Sequence, residues 1–308
     1  MTDIQVLEYD PERQGETLGL LDRVRGYETD PREFEWWFNG NPVKPRVLFL
    51  AEADGKVAGV LGASLYRTAV GGREGLAALP LWAVTDAAYR GRGIFQKLNG
   101  AIERRAREIG AAIELGFTNR LAGPIYVSKL GWSDVQSLRL WGRLLRPARR
   151  RAAATAGDFD RFGSDHDEVY RRAAPALRNH FVRDAAYLNW RYVDATRPYV
   201  RLAAAGGYAV LGSKPHGRLR AAVVADLVAP PDSFRATRTL LRRCIRAAKG
   251  HDLVLALLPA PPAQRRAFLS AGFLPTQTTI RLIGKGLGTE LPLGPDAWHF
   301  MLGDTDFF

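Results

Sequence analysis

Three strand-like runs that lead through a glycine-rich turn into one long amphipathic helix constrain this chain more than any other feature. Residues 47–52, 57–66 and 76–85 are strand-like, and the Asp54-Gly55 and Gly71-Gly72 turns between them predict an antiparallel meander. The third run passes through Tyr89-Arg90-Gly91-Arg92-Gly93 into residues 94–109. There Ile94, Leu98, Ala101, Ile102, Ala106 and Ile109 recur at helical spacing, which predicts a helix packed on the sheet. Gly110 ends it, residues 112–117 read as the next strand, and a shorter helix over about 121–130 stops at Gly131. Residues 132–145 are expected to close this unit. Upstream lie a short strand at 4–7 and a helical region ending in Phe34-Glu35-Trp36-Trp37-Phe38, before the stop signal Asn39-Gly40-Asn41-Pro42.

The second half repeats the order in weaker form. Trp190-Arg191-Tyr192 before Pro198 echoes the first aromatic cluster, and strand-like runs follow at 200–204, 208–212 and 221–228. A helix over 235–249 then presents Leu240, Leu241, Cys244, Ile245 and Ala248 on one face, ahead of a strand at 253–258. Laying the halves over each other sets Phe234-Arg235-Ala236-Thr237-Arg238 against Tyr89-Arg90-Gly91-Arg92-Gly93, with both glycines lost. The tail from Trp298 to Phe308 reads as a final strand with a frayed end, or as a segment that closes over a cleft.

An apolar fraction of 46% and a charged fraction of 25% fit a chain that buries a substantial core. No apolar stretch approaches the roughly 20 residues a spanning helix needs, so no membrane partner is expected and the cytoplasm is the expected location. Cys244 is the only cysteine, and the five histidines are scattered without ligand spacing, so no metal is expected. The net charge of +12 raises the question of nucleic acid. The densest arginines, Arg143, Arg146, Arg149, Arg150 and Arg151, run into an Ala-rich segment without interleaved aromatics, and this reads as a solvated linker.

The glycine turn carries the chemistry. The first N–H groups of a helix have no internal partners, and the aligned peptide dipoles place about half a positive charge at that end. Without side chains at Gly91 and Gly93 a diphosphate can come close to those N–H groups, while Arg90 and Arg92 add charge-assisted contacts. The turn lacks the Gly-Lys-Ser/Thr ending of a P-loop, and it follows a meander rather than opening the parallel βαβ unit of a dinucleotide fingerprint.

The Tyr-Arg-Gly-Arg-Gly-Ile run at 89–94, the helix behind it and the later Lys129-Leu130-Gly131-Trp132 resemble the GNAT superfamily of acyl-CoA-dependent N-acetyltransferases. The resemblance covers residues 1–146 in order of elements. The family's pyrophosphate motif has Arg or Gln, two variable residues, Gly, a variable residue, then Gly or Ala; Arg90, Gly91, Arg92, Gly93 and Ile94 fit, and Phe95 stands where a small residue belongs. The resemblance implies an α+β fold of two GNAT-like domains, each a mixed, mostly antiparallel twisted sheet flanked by helices. They would occupy residues 1–148 and 166–308, joined by a basic, Ala-rich linker at 149–165, with the second domain a degenerate repeat.

It further implies acetyl-CoA as co-substrate. The backbone of Ala83, Val84 and Thr85 would pair with the pantetheine arm, and Arg90, Gly91, Arg92, Gly93, Ile94 and Phe95 would hold the pyrophosphate. Asn119 would bond the arm or cap a turn. In such enzymes the acceptor amine attacks the thioester directly, so positioning, an N–H facing the oxyanion and proton transfers do the work. The family's acid is a tyrosine where this chain has Val127; Tyr126 lies one residue earlier, rotated by roughly 100° on a helix, and reads as either the acid or a packing residue. Among strand carboxylates Glu74 and Glu114 are the candidates for base, and Glu114 is taken with Tyr126 as the catalytic pair. The implied activity is acyl transfer to an amine of a small molecule or sugar. A CoA-binding sensor without catalysis, or a basic nucleic-acid-binding protein, are the alternatives.

Overall fold

The computed structural model describes residues 3–118, 123–145, 157–258 and 261–305, which cluster into two compact units. The first unit takes Met1–Arg67, Glu74–Asp134 and Leu282–Leu291. It opens with β1 (Ile4–Glu8), α1 (Gln14–Arg25) and α2 (Pro31–Phe38). The sequence shows one helical region here. The chain breaks it because Gly26, at φ 78°, ends α1 in the left-handed conformation, while Asp30 caps the Arg32 N–H and Pro31 starts α2. The meander follows as β2 (Val47–Ala53), β3 (Lys56–Val70) and β4 (Arg73–Thr85), then α3 (Ile94–Ile109), β5 (Ala111–Thr118) and α4 (Gly123–Lys129). Gly71 and Gly72, both at positive φ, make the tight turn between β3 and β4.

The second unit takes Thr68–Arg73, Val135–Arg281 and Pro292–Phe308. Its elements are β6 (Ser133–Leu144), α5 (Ser164–Ala173), β7 (His180–Phe181), α6 (Ala185–Tyr192), β8 (Val200–Ala204), β9 (Gly207–His216), β10 (Leu219–Val228), α7 (Phe234–Ala247), β11 (Leu253–Leu257), α8 (Pro262–Ser270) and β12 (Leu274–Gly286). Of the linker predicted at 149–165, residues 149–156 lie outside the described residues; the remainder is part of the second unit, with Phe162 buried, Asp158 accepting from the Ala203 N–H at 2.7 Å and α5 beginning at Ser164. The tail is not a strand. Trp298, Phe300, Met301 and Leu302 are buried in this unit, and residues 306–308 lie outside the described residues.

In the first unit the strands run β1-β2-β3-β4-β5 and then the end of β12; in the second they run from the start of β12 through β6-β11-β10-β9-β8. The last pairs of the first unit are made by residues near Leu287, whose N–H donates to the Ala112 carbonyl at 2.8 Å. β6 instead pairs antiparallel with β11, from Leu253↔Leu144 to Leu257↔Leu140. Residues 135–144 therefore close the second unit and not the first. Apolar alternation marks a strand and its buried face, but it does not name the partner strand.

Helices cover both faces of the first unit's sheet. On one, Leu98, Ile102 and Ala106 of α3 pack with Ala51, Leu61 and Ala78. On the other, Phe34 of α2 meets Tyr9 and Trp82 with ring centroids 5.5 Å apart, and Phe38 meets Trp82 at 5.7 Å. Two glycines of β3 set how closely the helices approach. A β-carbon at Gly59 would meet Ile94 and Leu98 of α3, and one at Gly62 would overlap the Phe38 ring. In the second unit α7 lays Leu240, Leu241, Cys244 and Ala248 on Ala222, Val224 and Val254.

Because overpacking a close contact costs about 1–3 kcal/mol, Gly62→Ala and Gly59→Ala should each lower denaturant stability by that order. Gly59→Ala should in addition disturb the first turn of α3. An unchanged urea midpoint in both variants would contradict this packing.

Candidate active site

β4 keeps one neighbour and leaves the other. The registered β4–β5 pairs are Leu76↔Ala111, Ala77↔Ile113 and Ala78↔Glu114, after which no pair is registered, although β4 continues to Thr85. At its far end β4 still holds β3, through the Asp86 N–H donated to the Ala58 carbonyl at 2.9 Å. Four residues beyond the last pair stands Trp82, a non-glycine residue at φ 62° whose ring is clamped by Phe34, Phe38 and the Arg25 guanidinium 4.2 Å above it. A left-handed residue within a strand bends it locally. The two parallel strands are already apart here, and the edge of β4 that carries exposed Ala83, buried Val84 and half-buried Thr85 has backbone groups available to an extended ligand.

The turn beyond the strand is built from local bonds. Asp86 Oδ1 accepts from the Ala88 N–H at 3.0 Å, and this bond is the chief reason its carboxyl sits below the usual carboxylate range. The Tyr89 hydroxyl donates to Asp54 Oδ2 at 3.1 Å, and the Arg92 guanidinium lies 5.2 Å from the Tyr89 ring. Gly91 and Gly93 have φ of 78° and 79°, the left-handed conformation in which glycine pays no β-carbon penalty. Gly93 is the N-cap of α3 and offers no side-chain cap, and the Lys97 N–H makes the bond to its carbonyl at 3.0 Å. The N–H groups of Ile94, Phe95 and Gln96 therefore precede the first intrahelical bond. A β-carbon at either glycine would meet nothing within 4 Å, so the approach is open, with exposed Arg90 and Arg92 beside it.

Phe95, the residue that departs from the small-residue position, points elsewhere. Its ring meets Tyr126 of α4 edge-on, with centroids 5.3 Å apart at 83°, and Tyr126 in turn lies 4.7 Å from Trp132. Tyr126, Trp132 and Ile283 form a buried cluster against which Phe95, Val127 and Leu130 pack. The cluster ties the first turn of α3 to α4. Lys285 Nζ reinforces the joint by donating to the Leu130 carbonyl at 3.0 Å and to Glu103 Oε2 at 2.7 Å.

Glu114 belongs to the last registered pair, at the apex where β4 and β5 separate. It is 2% exposed. Burial is the main cause that pushes its carboxyl up to about 8; nearby Glu103 adds to the rise, while Lys285 and Arg107 oppose it. Glu74, the other strand carboxylate, is exposed and paired with Arg67 at 2.6 Å. Asn119 lies outside the described residues. Sequence reading did not single out Trp82, Lys285, Glu103 or Arg107, since neither the bend nor the cluster leaves a local pattern. Among the described residues no group of His, Cys, Asp and Glu is placed to hold a metal, and no helix is long and apolar enough to cross a membrane.

Residues 11–134 match the model of the acetyltransferase (GNAT) domain, and the match ends at Asp134, where the second stretch of the first unit also ends. No curated protein sequence matches the chain. Among solved structures, a GCN5-related N-acetyltransferase from Anabaena variabilis superposes with a TM-score of 0.70 at 14% identity, over 92% of this chain and 73% of that one. A GCN5-related N-acetyltransferase from Kribbella flavida gives 0.68 at 17%, over 93% and 72%. The N-myristoyltransferase of Saccharomyces cerevisiae, solved with bound myristoyl-CoA, gives 0.62 at 13%, over 95% and 84%. At such identities these likenesses establish the fold, and they extend over both units. With the strand parting, the uncapped helix and the domain match together, the chain is an acyltransferase whose residues 11–134 form a GNAT acetyltransferase domain.

Proposed function

We propose that the first unit binds acetyl-CoA and transfers its acetyl group to the amine of a small molecule or sugar. The observation that carries the reading is the uncapped, open N-terminus of α3 at Gly93, directly after a strand whose edge has come free of β5. In this reading the N–H groups from Gly91 to Phe95 hold the diphosphate, with Arg90 and Arg92 adding charge, and Ala83, Val84 and Thr85 pair with the pantetheine amides. The coenzyme supplies the activated thioester. Glu114 receives the ammonium proton, directly or through water; the amine nitrogen then forms the new C–N bond as the C–S bond breaks, the Tyr126 hydroxyl protonates the departing thiolate, and the second proton, shed by the nitrogen as the amide forms, restores that hydroxyl.

The second unit supports this reading by contrast. Its β9-β10-α7-β11 order repeats β3-β4-α3-β5, and β10 pairs parallel with β11 from Ala221↔Leu253 to Val223↔Leu255. α7 begins at Phe234 as α3 begins at Ile94, so residues 229–233 stand where 89–93 do, five residues earlier than the sequence overlay. Pro230 and Pro231 have no N–H to offer, and Ser233 Oγ already takes the Ala236 N–H at 3.1 Å. One first-turn donor of this helix is already taken by its own serine cap and the preceding prolines add none, and we assign it no coenzyme.

Titration calorimetry with acetyl-CoA tests the site. Gly93→Ala should lose affinity modestly, because an L-residue in the left-handed conformation costs about 1–2 kcal/mol. Gly93→Glu should lose at least tenfold more, since it sets a carboxylate against the diphosphate; equal losses in the two variants would remove the electrostatic argument. A thiol-release assay across amines then separates turnover from binding alone, and binding without turnover on any amine would favour a CoA-sensing protein.

The proton-transfer roles carry their own tests. Tyr126→Phe keeps the packing and removes only the hydroxyl, and should lower kcat by about 10²-fold with the affinity for acetyl-CoA unchanged. If Glu114 is the base, kcat/KM should rise with pH through about 8, and Glu114→Gln should abolish that limb. Stability moves in the opposite sense. The folded carboxyl binds its proton more tightly than the unfolded one, so its contribution is full below the ordinary carboxylate range and is lost as pH rises through about 8. Thermal unfolding of Glu114→Gln should show a shallower decline across that window.

A further inference from the structure

A cavity of about 380 Å³ lies within the second unit, beyond the last β6–β11 pair, Leu257↔Leu140. Its apolar lining comes from Trp141, Leu138, Leu257 and Leu269, together with Trp298 and Phe300, whose rings stack at 7° with centroids 5.5 Å apart. Its polar groups are Gln136, Ser137, Arg139, Arg265 and Asp296. A volume of this order, apolar walls and a few convergent polar groups are the marks of a small-molecule site.

The polar groups are unbalanced in one direction. Gln136 Oε1 already accepts from the Trp298 N–H at 3.0 Å, so its remaining group is the amide donor. Asp296 Oδ1, the main acceptor, is engaged by Arg265 NH2 at 3.0 Å. Arg265 Nε is buried and makes no hydrogen bond among the described residues, and exposed Arg139 makes no ion pair among them. Arg265 Nε is closed to a ligand, so the donors Arg265 can offer are the terminal NH groups of its half-buried guanidinium, one of which Asp296 holds. Two guanidinium groups stand against one carboxylate, so the lining keeps an excess of donors and of positive charge over an aromatic and aliphatic floor.

The wall that carries Asp296 and the stacked rings is also held in place from behind. Asn179 Nδ2 donates to the Ala297 carbonyl at 2.7 Å, Arg178 donates to the Asp296 carbonyl at 3.1 Å, and Trp298 Nε1 donates to the Pro292 carbonyl at 3.0 Å. Asp296 sits at φ 60°, a sparsely populated conformation that persists where its surroundings over-determine it. A wall fixed in this way costs little further ordering when a ligand arrives.

We propose that this cavity binds a small carboxylic acid with an aromatic or branched apolar body, its carboxylate received by Arg139, Arg265 and the Gln136 amide and its body laid along Trp141, Leu269 and Phe300. The proposal uses nothing of the coenzyme site and stands or falls apart from it.

Calorimetry on the full chain without coenzyme, with phenylacetate, phenylacetamide and phenethylamine as probes, tests it. Phenylacetate should bind at least about tenfold more tightly than the isosteric amide, and the amine should not bind, because only the acid supplies the anionic acceptor. The double variant Arg139→Gln, Arg265→Gln should abolish the preference for acid over amide. Since Arg265 also pairs with Asp296, the single Arg139→Gln variant, at an exposed position, serves where the double variant unfolds, and it should weaken phenylacetate binding while sparing the amide. The proposal is overturned if phenylacetate gives no saturable heat, if amide or amine binds as tightly as the acid, or if the preference survives both variants.

Discussion

Everything at the candidate site depends on β4 holding β3 while releasing β5. Two parallel strands in register exhaust each other's backbone donors and acceptors, and a coenzyme arm could then find no partner between them. The Trp82 bend lies in the stretch of β4 that has left β5, and the Asp86–Ala58 bond keeps that stretch fixed to the sheet. Placing a left-handed bend at a tryptophan has an energetic cost, which is offset where Phe34, Phe38 and Arg25 enclose the ring. α2 therefore bears on the chemistry without touching it, because it stabilises the bend from the opposite face of the sheet to α3.

The same economy governs the helix end. Gly93 leaves the first turn of α3 uncapped, and the turn is held from its flank by Phe95 against Tyr126 and Trp132. An uncapped helix terminus otherwise frays, since capping contributes about 1 kcal/mol. The aromatic joint provides an anchor that leaves the N–H groups clear. This gives a physical reason for a large side chain at 95, where the family resemblance implies a small one: the ring serves the hydrophobic cluster and leaves the anion's approach open. The second unit shows the contrary choice, a serine cap that stabilises the helix and consumes the donor.

Legibility in the sequence followed the range of the interaction. The meander, its glycine turns and α3 could be read because period and turn chemistry reside within a few consecutive residues, and the Gly91–Gly93 turn was legible for the same reason. The partner of β6 was not, because two apolar strands of similar pattern can each pair with the free edge of a parallel strand, and the choice is made by contacts far apart in sequence. The repeat overlay slipped by five residues because proline and serine in 229–233 replace the glycines that mark the first turn. Glu114 was visible as a strand carboxylate. Its elevated proton affinity was not, since that comes first from burial in the folded sheet, with Glu103 adding to it and Arg107 and Lys285 opposing it from a helix and a distant strand.

In the second unit charge does the holding that glycine and aromatic packing do in the first. Arg183, fully buried, contacts Asp226 at 3.1 Å and Asp304 at 2.6 Å, and the Tyr187 hydroxyl donates to Asp304 at 2.9 Å. Burial drives the Asp226 carboxyl up, as expected where two carboxylates share one guanidinium away from water. Such a cluster is a poor source of net stability, because desolvation offsets much of the Coulomb attraction, but breaking one partner is costly. Its effect is directional. Asp304 stands only a few residues after Trp298 and Phe300, and Arg191 donates to the Gly303 and Thr305 carbonyls alongside it. A tail fixed at 303–305 by ions and at 297–298 by Asn179 and Gln136 has little freedom in between, and the stacked rings that floor the cavity lie in that interval. The buried charges are therefore best understood as fixing where an irregular segment runs, a task that apolar contacts, which lack direction, perform poorly.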